Sequence, residues 1–250
     1  MAEPIIRLRG LSKNFSGVHA VQDLELDVLR GARHAVLGPN GAGKTTLFNL
    51  ISGAEEVSSG TIELFGRDVT HLSAFRRARL GMARTFQSSR VLSGLNVEDN
   101  LYLAALGSHG GHLRILPSRS DRALRQLARE TAERVALSGR LDSMASDLSH
   151  GERRQLEVGL AIASQPQLML LDEPAAGLAR AERQVLMDIL LGFDRSVTLV
   201  LIEHDMEVAL TVAERVSIMH HGRIVVEGTT AEIRSDQRVQ DIYLGRENAA

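Results

Sequence analysis

The sequence predicts an α/β fold: a mostly parallel sheet with helices on its faces and a helical subdomain set into it. Three observations carry this. In the last third, two short apolar runs, LMLLD and VTLVLIE, alternate with helix-patterned stretches, the pattern of strands joined by crossover helices. Near the amino end a glycine cluster stands between an apolar strand candidate and a helix candidate. Between these regions helical signals dominate from about Asn96 to Gln165.

Taken in order, IIRLRG and VQDLELDV alternate apolar and polar residues, as half-buried strands do. HAVL, His34 to Leu37, is a short apolar strand candidate. TTLFNLISG then reads as a helix stopped at Gly53. GTIELFGRDV is strand-like again. In Asp121 to Leu137, Leu124, Leu127, Ala128, Thr131 and Val135 fall on one helical face. LMLLD, Ala181 to Phe193, VTLVLIE and Asp205 to Glu214 read as strand, helix, strand and helix. VSIMHHGRIVVEG reads as a hairpin turning at HHGR. The stretch LGSHGGHLRILPSRS is the richest in helix breakers.

The bulk numbers narrow the function classes. At 250 residues and 44% hydrophobic, the chain can bury a sizeable core. A net charge of -2 counts against a nucleic-acid partner held by phosphate neutralisation. With no cysteine, disulfides and thiolate metal sites are excluded, which fits a reducing compartment. MAEPIIRLRG lacks the basic-then-apolar pattern of a signal peptide, and the apolar runs fall short of the roughly 18 residues a membrane helix needs. Any membrane crossing is therefore expected to belong to another chain. FRRARLG and GERRQ are read as solvated faces or phosphate-loop neighbours. His109 with His112, and His220 with His221, lack a third metal ligand.

GPNGAGKTT, Gly38 to Thr46, matches G-x-x-x-x-G-K-[ST] without deviation. Glycines let successive N–H groups turn toward phosphate oxygens, and the helix that follows adds its positive end. Lys44 is placed to reach the β- and γ-phosphates and the Thr45 hydroxyl to ligate Mg²⁺. LMLLDEP puts Asp172 at the end of a buried strand, where its carboxylate can hold Mg²⁺ opposite Thr45. A turn after the strand can swing Glu173 toward the γ-phosphate to activate water. His204, after the next buried strand, is expected beside them, since ligands gather at the carboxyl ends of parallel strands. DLSHGERRQLEVGLAIA raises a question of its own. Its Ser149, His150, Gly151 and Glu152 stand before a helix, either as an ordinary helix start or as an anion site.

Together these motifs resemble the ATP-binding subunits of ABC transporters, over about Ile5 to Gly245. The resemblance implies the ABC ATPase version of the P-loop NTPase fold: a mostly parallel core sheet, an antiparallel β subdomain and an inserted α-helical subdomain. On this reading 1–250 is one ABC ATPase domain, with its core at about 1–87 and 160–235, a helical subdomain at about 88–159 and a helical tail at about 236–250. It implies ATP and Mg²⁺ as ligands. Asn40, Gly41, Ala42, Gly43, Lys44, Thr45 and Thr46 would hold phosphates. Phe15, with Val18 nearby, would stack on adenine; a core Phe15 is the alternative. Thr45, Gln87 of ARTFQ and Asp172 would serve the metal. Glu173, His204 and Gln87 would be catalytic. LSHGE resembles the LSGGQ signature, so Ser149, His150, Gly151 and Glu152 would meet the ATP of an opposite subunit. The implied partners are a second copy or a paralogous ATPase subunit, transmembrane permease subunits and, indirectly, a substrate-binding protein. The implied place is the cytoplasmic face of the cell membrane. ARTFQ, LNVEDNL, DEPAAGL, LIEHDM and DIYLG look most like branched-chain amino-acid importers and their relatives for amides or urea. Other transport systems, such as lipopolysaccharide export, and soluble non-transport ATPases are the alternatives. One departure stands out: Ala179 replaces the Asn or Asp that the family usually carries after GL.

Overall fold

The computed structural model describes residues 3–85, 91–108 and 119–244. Gln87, His109 and His112 lie outside them. The chain divides into two compact units, Met1–Met82 with Leu168–Glu173 and Asp194–Ala250, and Ala83–Gln167 with Pro174–Phe193.

In the first unit, β1 (Pro4–Phe15), β2 (Val18–Leu29), β4 (Ser59–Leu64) and β5 (Arg67–Asp68) form an antiparallel sheet in the order β2-β1-β4-β5. The alternation in β2 is read directly as burial, with Leu24, Leu26 and Val28 inside and Glu25 and Asp27 outside. The second sheet contains β3 (Arg33–Leu37), β6 (Met82–Arg84), β7 (Leu168–Asp172), β8 (Thr198–Glu203), β9 (Arg215–His220) and β10 (Arg223–Thr229), in the order β10-β9-β3-β8-β7-β6. β9, β3, β8 and β7 run parallel, and β10 returns antiparallel through the expected hairpin. Every residue of β3, β7 and β8 is buried, as strands covered on both faces must be. The register sets Leu37 against Glu203 and Asp172 against Ile202, so three strands end at one level.

Helix α1 (Lys44–Ser52) stops where Gly53 turns left-handed at φ 76° and donates back to Asn49 and Leu50. Its last carbonyls meet an unexpected partner. Arg77, from α2 (Ala74–Arg79), lies in FRRARLG, read as a solvated face or a phosphate-loop neighbour, and it is buried. Its guanidinium donates to the carbonyls of Leu50 at 2.6 Å, Ile51 at 2.8 Å, Leu72 at 2.9 Å and Thr70 at 3.0 Å. A cation at a helix carboxyl end satisfies orphan acceptors and complements the dipole; Arg76 and Arg79 stay exposed.

His34 is buried in β3, its ring 2.8 Å from the Ser217 hydroxyl on β9. Burial first, and the Arg215 charge second, push its pKa down from the usual 6.5 to about 4. The unfolded chain therefore binds a proton that the folded chain refuses. This contribution is complete above pH 6.5 and is lost as pH falls toward 4, by about 2 kcal/mol between pH 7 and 5. Urea denaturation of wild type and His34→Gln at both pH values checks this: the wild type is expected to lose about 2 kcal/mol more than the variant.

The second unit is helical: α3 (Val97–Ser108), α4 (Arg119–Arg134), α5 (His150–Ala163) and α6 (Arg180–Leu191). α4 buries Leu124, Ala128 and Thr131, as the pattern predicts, but ends at Arg134 rather than Leu137. Ala136 turns left-handed at φ 57° and Leu137 N–H bonds back to Ala132 at 2.7 Å, closing the helix without a glycine. α6 ends at Leu191, before Phe193. In the first unit, α7 (Met206–Val212) gives way to extended backbone at Ala213, ahead of Glu214. α8 (Thr230–Ser235) and α9 (Gln237–Leu244) follow β10.

Candidate functional site

In the first unit the chemistry-bearing residues gather where β3, β7 and β8 end. The loop after β3 approaches its surroundings too closely for side chains. A Cβ on Gly38 would lie 2.1 Å from the Met219 carbonyl, and one on Gly43 would lie 2.2 Å from that of Ala20. The turn between β9 and β10 braces the loop, because Gly222 N–H donates to Ala42 at 3.0 Å while its carbonyl accepts from Gln22 at 2.8 Å. Sequence reading missed this brace, although HHGR did signal a tight turn.

Gly43 sits at the N-cap of α1, which makes no side-chain cap bond and has no acidic residue in its first turn. Its positive end is left for an external anion. Lys44 is buried, and its ammonium donates to Gly38 at 2.6 Å and Pro39 at 3.0 Å. Burial lowers its pKa, and the carboxylates of Glu173, Asp172 and Glu203 act in the opposite direction. Glu203, the last residue of β8, was not among the residues singled out from sequence. Asn40, Gly41 and Thr45 are exposed, Thr46 is half-buried and Ala42 is buried.

Asp172 ends β7 and is 1% exposed. The next residue supplies the expected turn: Glu173 adopts φ 45°, and its N–H donates to Ile202 at 3.0 Å. Its carboxylate stands 3.6 Å from His204 Nδ1. The Glu173 side chain is 22% exposed and that of His204 53%, so both reach solvent at the strand ends. A carboxylate and an imidazole so placed can take and orient a proton from water. Phe15 and Val18 pair directly across the β1–β2 hairpin, whose Ser16 and Gly17 carry positive φ. Phe15 is 41% exposed, so it is not a core residue, and the Lys13 ammonium lies 4.7 Å from its ring centroid.

In the second unit Ser149 is the N-cap of α5. Its hydroxyl accepts the Glu152 N–H at 3.1 Å and its own N–H donates to Glu152 at 2.9 Å, a capping box. The Ser149 backbone N–H first, with Arg140, holds the Glu152 carboxyl below its ordinary pKa. Glu152, where the family's commonest signature has Gln, thus supports the helix start. Gly151 N–H donates to Glu182 of α6 at 3.1 Å. His150 faces the loop before α6: a Cβ on Gly177 would lie 3.2 Å from its Nε2.

Comparison with known proteins bears on all of this. The family described as ABC transporter matches residues 21–176, and one described as branched-chain amino acid ATP-binding cassette transporter matches residues 223–249. The high-affinity branched-chain amino acid transport ATP-binding protein LivG of Escherichia coli is 34% identical, covering 98% of this chain and 99% of that one. BraF of Pseudomonas aeruginosa, with the same description, is 33% identical at the same coverage. The ADP conformation of MJ1267, an ATP-binding cassette of an ABC transporter, matches with a TM-score of 0.85 and 26% identity, covering 97% of this chain and 99% of that chain. The mixed sheets and helices of this chain are those of the same fold. A family match over more than half the sequence, and relatives a third identical along nearly all of it, settle the matter: the chain belongs to the ABC transporter family, as one of its ATP-binding and ATP-hydrolysing subunits.

Proposed function

We propose that the chain powers an importer of branched-chain amino acids or related small amides or urea. Two copies, or one copy with a paralogous subunit, would close on two ATP molecules and drive separate permease subunits fed by a substrate-binding protein. The observation that carries the reading is the convergence of Lys44, Asp172, Glu173 and His204 at the aligned ends of β3, β7 and β8. Relatives named for branched-chain amino-acid transport support the cargo. No helix of the described residues is long and apolar enough to cross a membrane, so attachment to the inner face would run through the permease.

In this reading Asn40 to Thr46 cradle the phosphates with backbone N–H groups and the α1 dipole, and Lys44 meets the β- and γ-phosphates. Phe15 and Val18 support adenine. The donor set fits Mg²⁺: one exposed hydroxyl, Thr45, and one buried carboxylate, Asp172, are hard oxygen ligands for an ion that keeps waters and phosphate oxygens around it. Among the described residues no trio of His, Asp or Glu forms a fuller metal cage. The ion would neutralise charge on the phosphate oxygens. Glu173 takes the proton of the attacking water, and His204 and Gln87 orient it. Ser149 to Glu152 offer the hydroxyl and N–H groups of α5 to the nucleotide of the opposite subunit. The domain would divide as expected, with a core, an inserted helical part at about 88–159 and a tail at about 236–250.

Reconstitution with permease and binding protein tests the proposal. ATP-dependent uptake of leucine, isoleucine or valine, or of urea and short amides, is the expected result. ATP hydrolysis unaffected by permease and binding protein, with no uptake of either class, would remove the import reading.

Ala179 begins α6 as its N-cap. Its N–H donates to Glu182 at 3.0 Å, but its methyl side chain cannot accept in return. Ala179→Asn is expected to stabilise the isolated chain by about 1 kcal/mol in chemical denaturation. In the assembled transporter it is expected to raise ATP hydrolysis or its cooperativity in ATP, by restoring a polar group in the loop that crosses the subunit interface in the family. Unchanged turnover and cooperativity would count against the coupling role.

A further inference from the structure

Glu182 bridges two elements. One carboxylate oxygen, Oε2, accepts the Ala179 N–H at 3.0 Å, the local half of a capping box at the start of α6. The other, Oε1, accepts the Gly151 N–H at 3.1 Å, in the first turn of α5. The approach is close: a Cβ on Gly151 would fall 2.5 Å from Glu182 Oε1 and 2.7 Å from Cδ. A carboxylate oxygen thus occupies a backbone donor at the positive end of a 14-residue helix. Two neighbouring donors are satisfied locally, Glu152 N–H by the Ser149 hydroxyl and Ser149 N–H by Glu152. Gly151 instead takes its acceptor from another element, 31 positions away.

We propose that Glu182 is a displaceable internal anion: it holds the Gly151 N–H while no nucleotide faces that turn, and yields it to a phosphate oxygen of the opposite subunit's ATP. This rests on the reading of Ser149 to Glu152 as a phosphate-facing turn. Two anionic acceptors crowded on one N–H repel each other, so the carboxylate would oppose any phosphate it did not make way for. Its displacement has a consequence. Oε2 is bonded to Ala179, so movement of Glu182 alters the N-cap of α6 and the end of the loop preceding it. Arrival of phosphate at one turn is thereby conveyed to the start of the next helix. Glu182 is a positioning residue acting through Gly151 and Ala179.

The test is an ATP titration of hydrolysis by the assembled transporter carrying Glu182→Gln, Glu182→Ala or Ser149→Ala. The binding of a fluorescent ATP analogue to each isolated chain and its thermal midpoint are measured alongside. Gln keeps an oxygen acceptor but removes the charge, so the half-saturating ATP concentration is expected to fall about fivefold, the difference between a charged and a neutral hydrogen bond. Glu182→Ala is expected to lower it as well. Binding to the isolated chain, which uses the glycine loop, is expected to stay unchanged in both. A half-saturating concentration that is unchanged or raised in both Glu182 variants, with Ser149→Ala raising it, overturns the role of Glu182 alone. If Ser149→Ala also leaves it unchanged, the phosphate-facing turn falls and this inference with it.

Discussion

Replacing Glu173 by glutamine is expected to cut ATP turnover by about 10²–10⁴-fold, the range a positioned general base contributes. Folding and nucleotide affinity should be unaffected. The geometry makes the substitution clean. Glutamine matches glutamate in size, and glutamine already adopts the same left-handed backbone elsewhere in this chain, at Gln165 with φ 52°. The Glu173 N–H bond to Ile202 that fixes the turn belongs to the backbone and survives the change. What is lost is the capacity to take a proton at the carboxylate that stands 3.6 Å from His204. The loss should therefore appear in kcat, with binding of an ATP analogue unchanged, and the ATP-bound form should accumulate. His204→Gln is expected to be milder, because the imidazole proposed to orient water is replaced by an amide that still forms hydrogen bonds. Steady-state hydrolysis and nucleotide retention after gel filtration measure both. Wild-type turnover in Glu173→Gln would move the base elsewhere.

The sequence made the sheet legible because a strand buried on both faces must be apolar at every position. LMLLD and VTLVLIE contain no other kind of residue until Asp172 and Glu203, Thr198 apart, and the structure buries each of these positions except Val197, which is half-buried just ahead of β8. Turns that depend on glycine were equally plain, as at Gly53 and in HHGR. The end of α4 was not, because Ala136 enters the left-handed region without a glycine to mark it. Periodicity also treats arginine and glutamate as surface residues. Arg77 is inside because carbonyls 26 and 27 positions earlier needed donors. Glu182 looks like ordinary first-turn acid until Gly151 is brought beside it. Such partners are set by tertiary packing, and no local pattern encodes them. The same limit held at the glycine loop: GPNGAGKTT announced the loop, whereas Ala20, Met219 and Gly222, which press on it, could be found only in three dimensions.

Lys44→Ala is expected to weaken ATP binding at least about a hundredfold, at the upper end of what one hydrogen bond to a charged group contributes. The reason lies in what surrounds the lysine. Its ammonium already rests on the carbonyls of Gly38 and Pro39 inside the loop, so it is held in place before any nucleotide arrives. Ordering the side chain costs little at the moment of binding. It is also the cation that offsets Glu173, Asp172 and Glu203, all close enough to raise its pKa against the effect of burial. Without it a polyphosphate would enter a pocket whose nearest charges are carboxylates. The α1 dipole, about half a charge, the loop N–H groups and the Mg²⁺ that accompanies ATP would be left to attract it. Removing the ammonium therefore takes away an attraction and exposes a repulsion. Adding salt should recover part of the lost affinity by screening that repulsion. Lys44→Arg, which keeps the charge but cannot fit its planar fork between the two carbonyls, should lie between alanine and wild type. Isothermal titration with ATP and Mg²⁺ at two salt concentrations distinguishes these terms. An alanine variant that binds within threefold of wild type, at either salt concentration, would show that the loop backbone alone holds the phosphates.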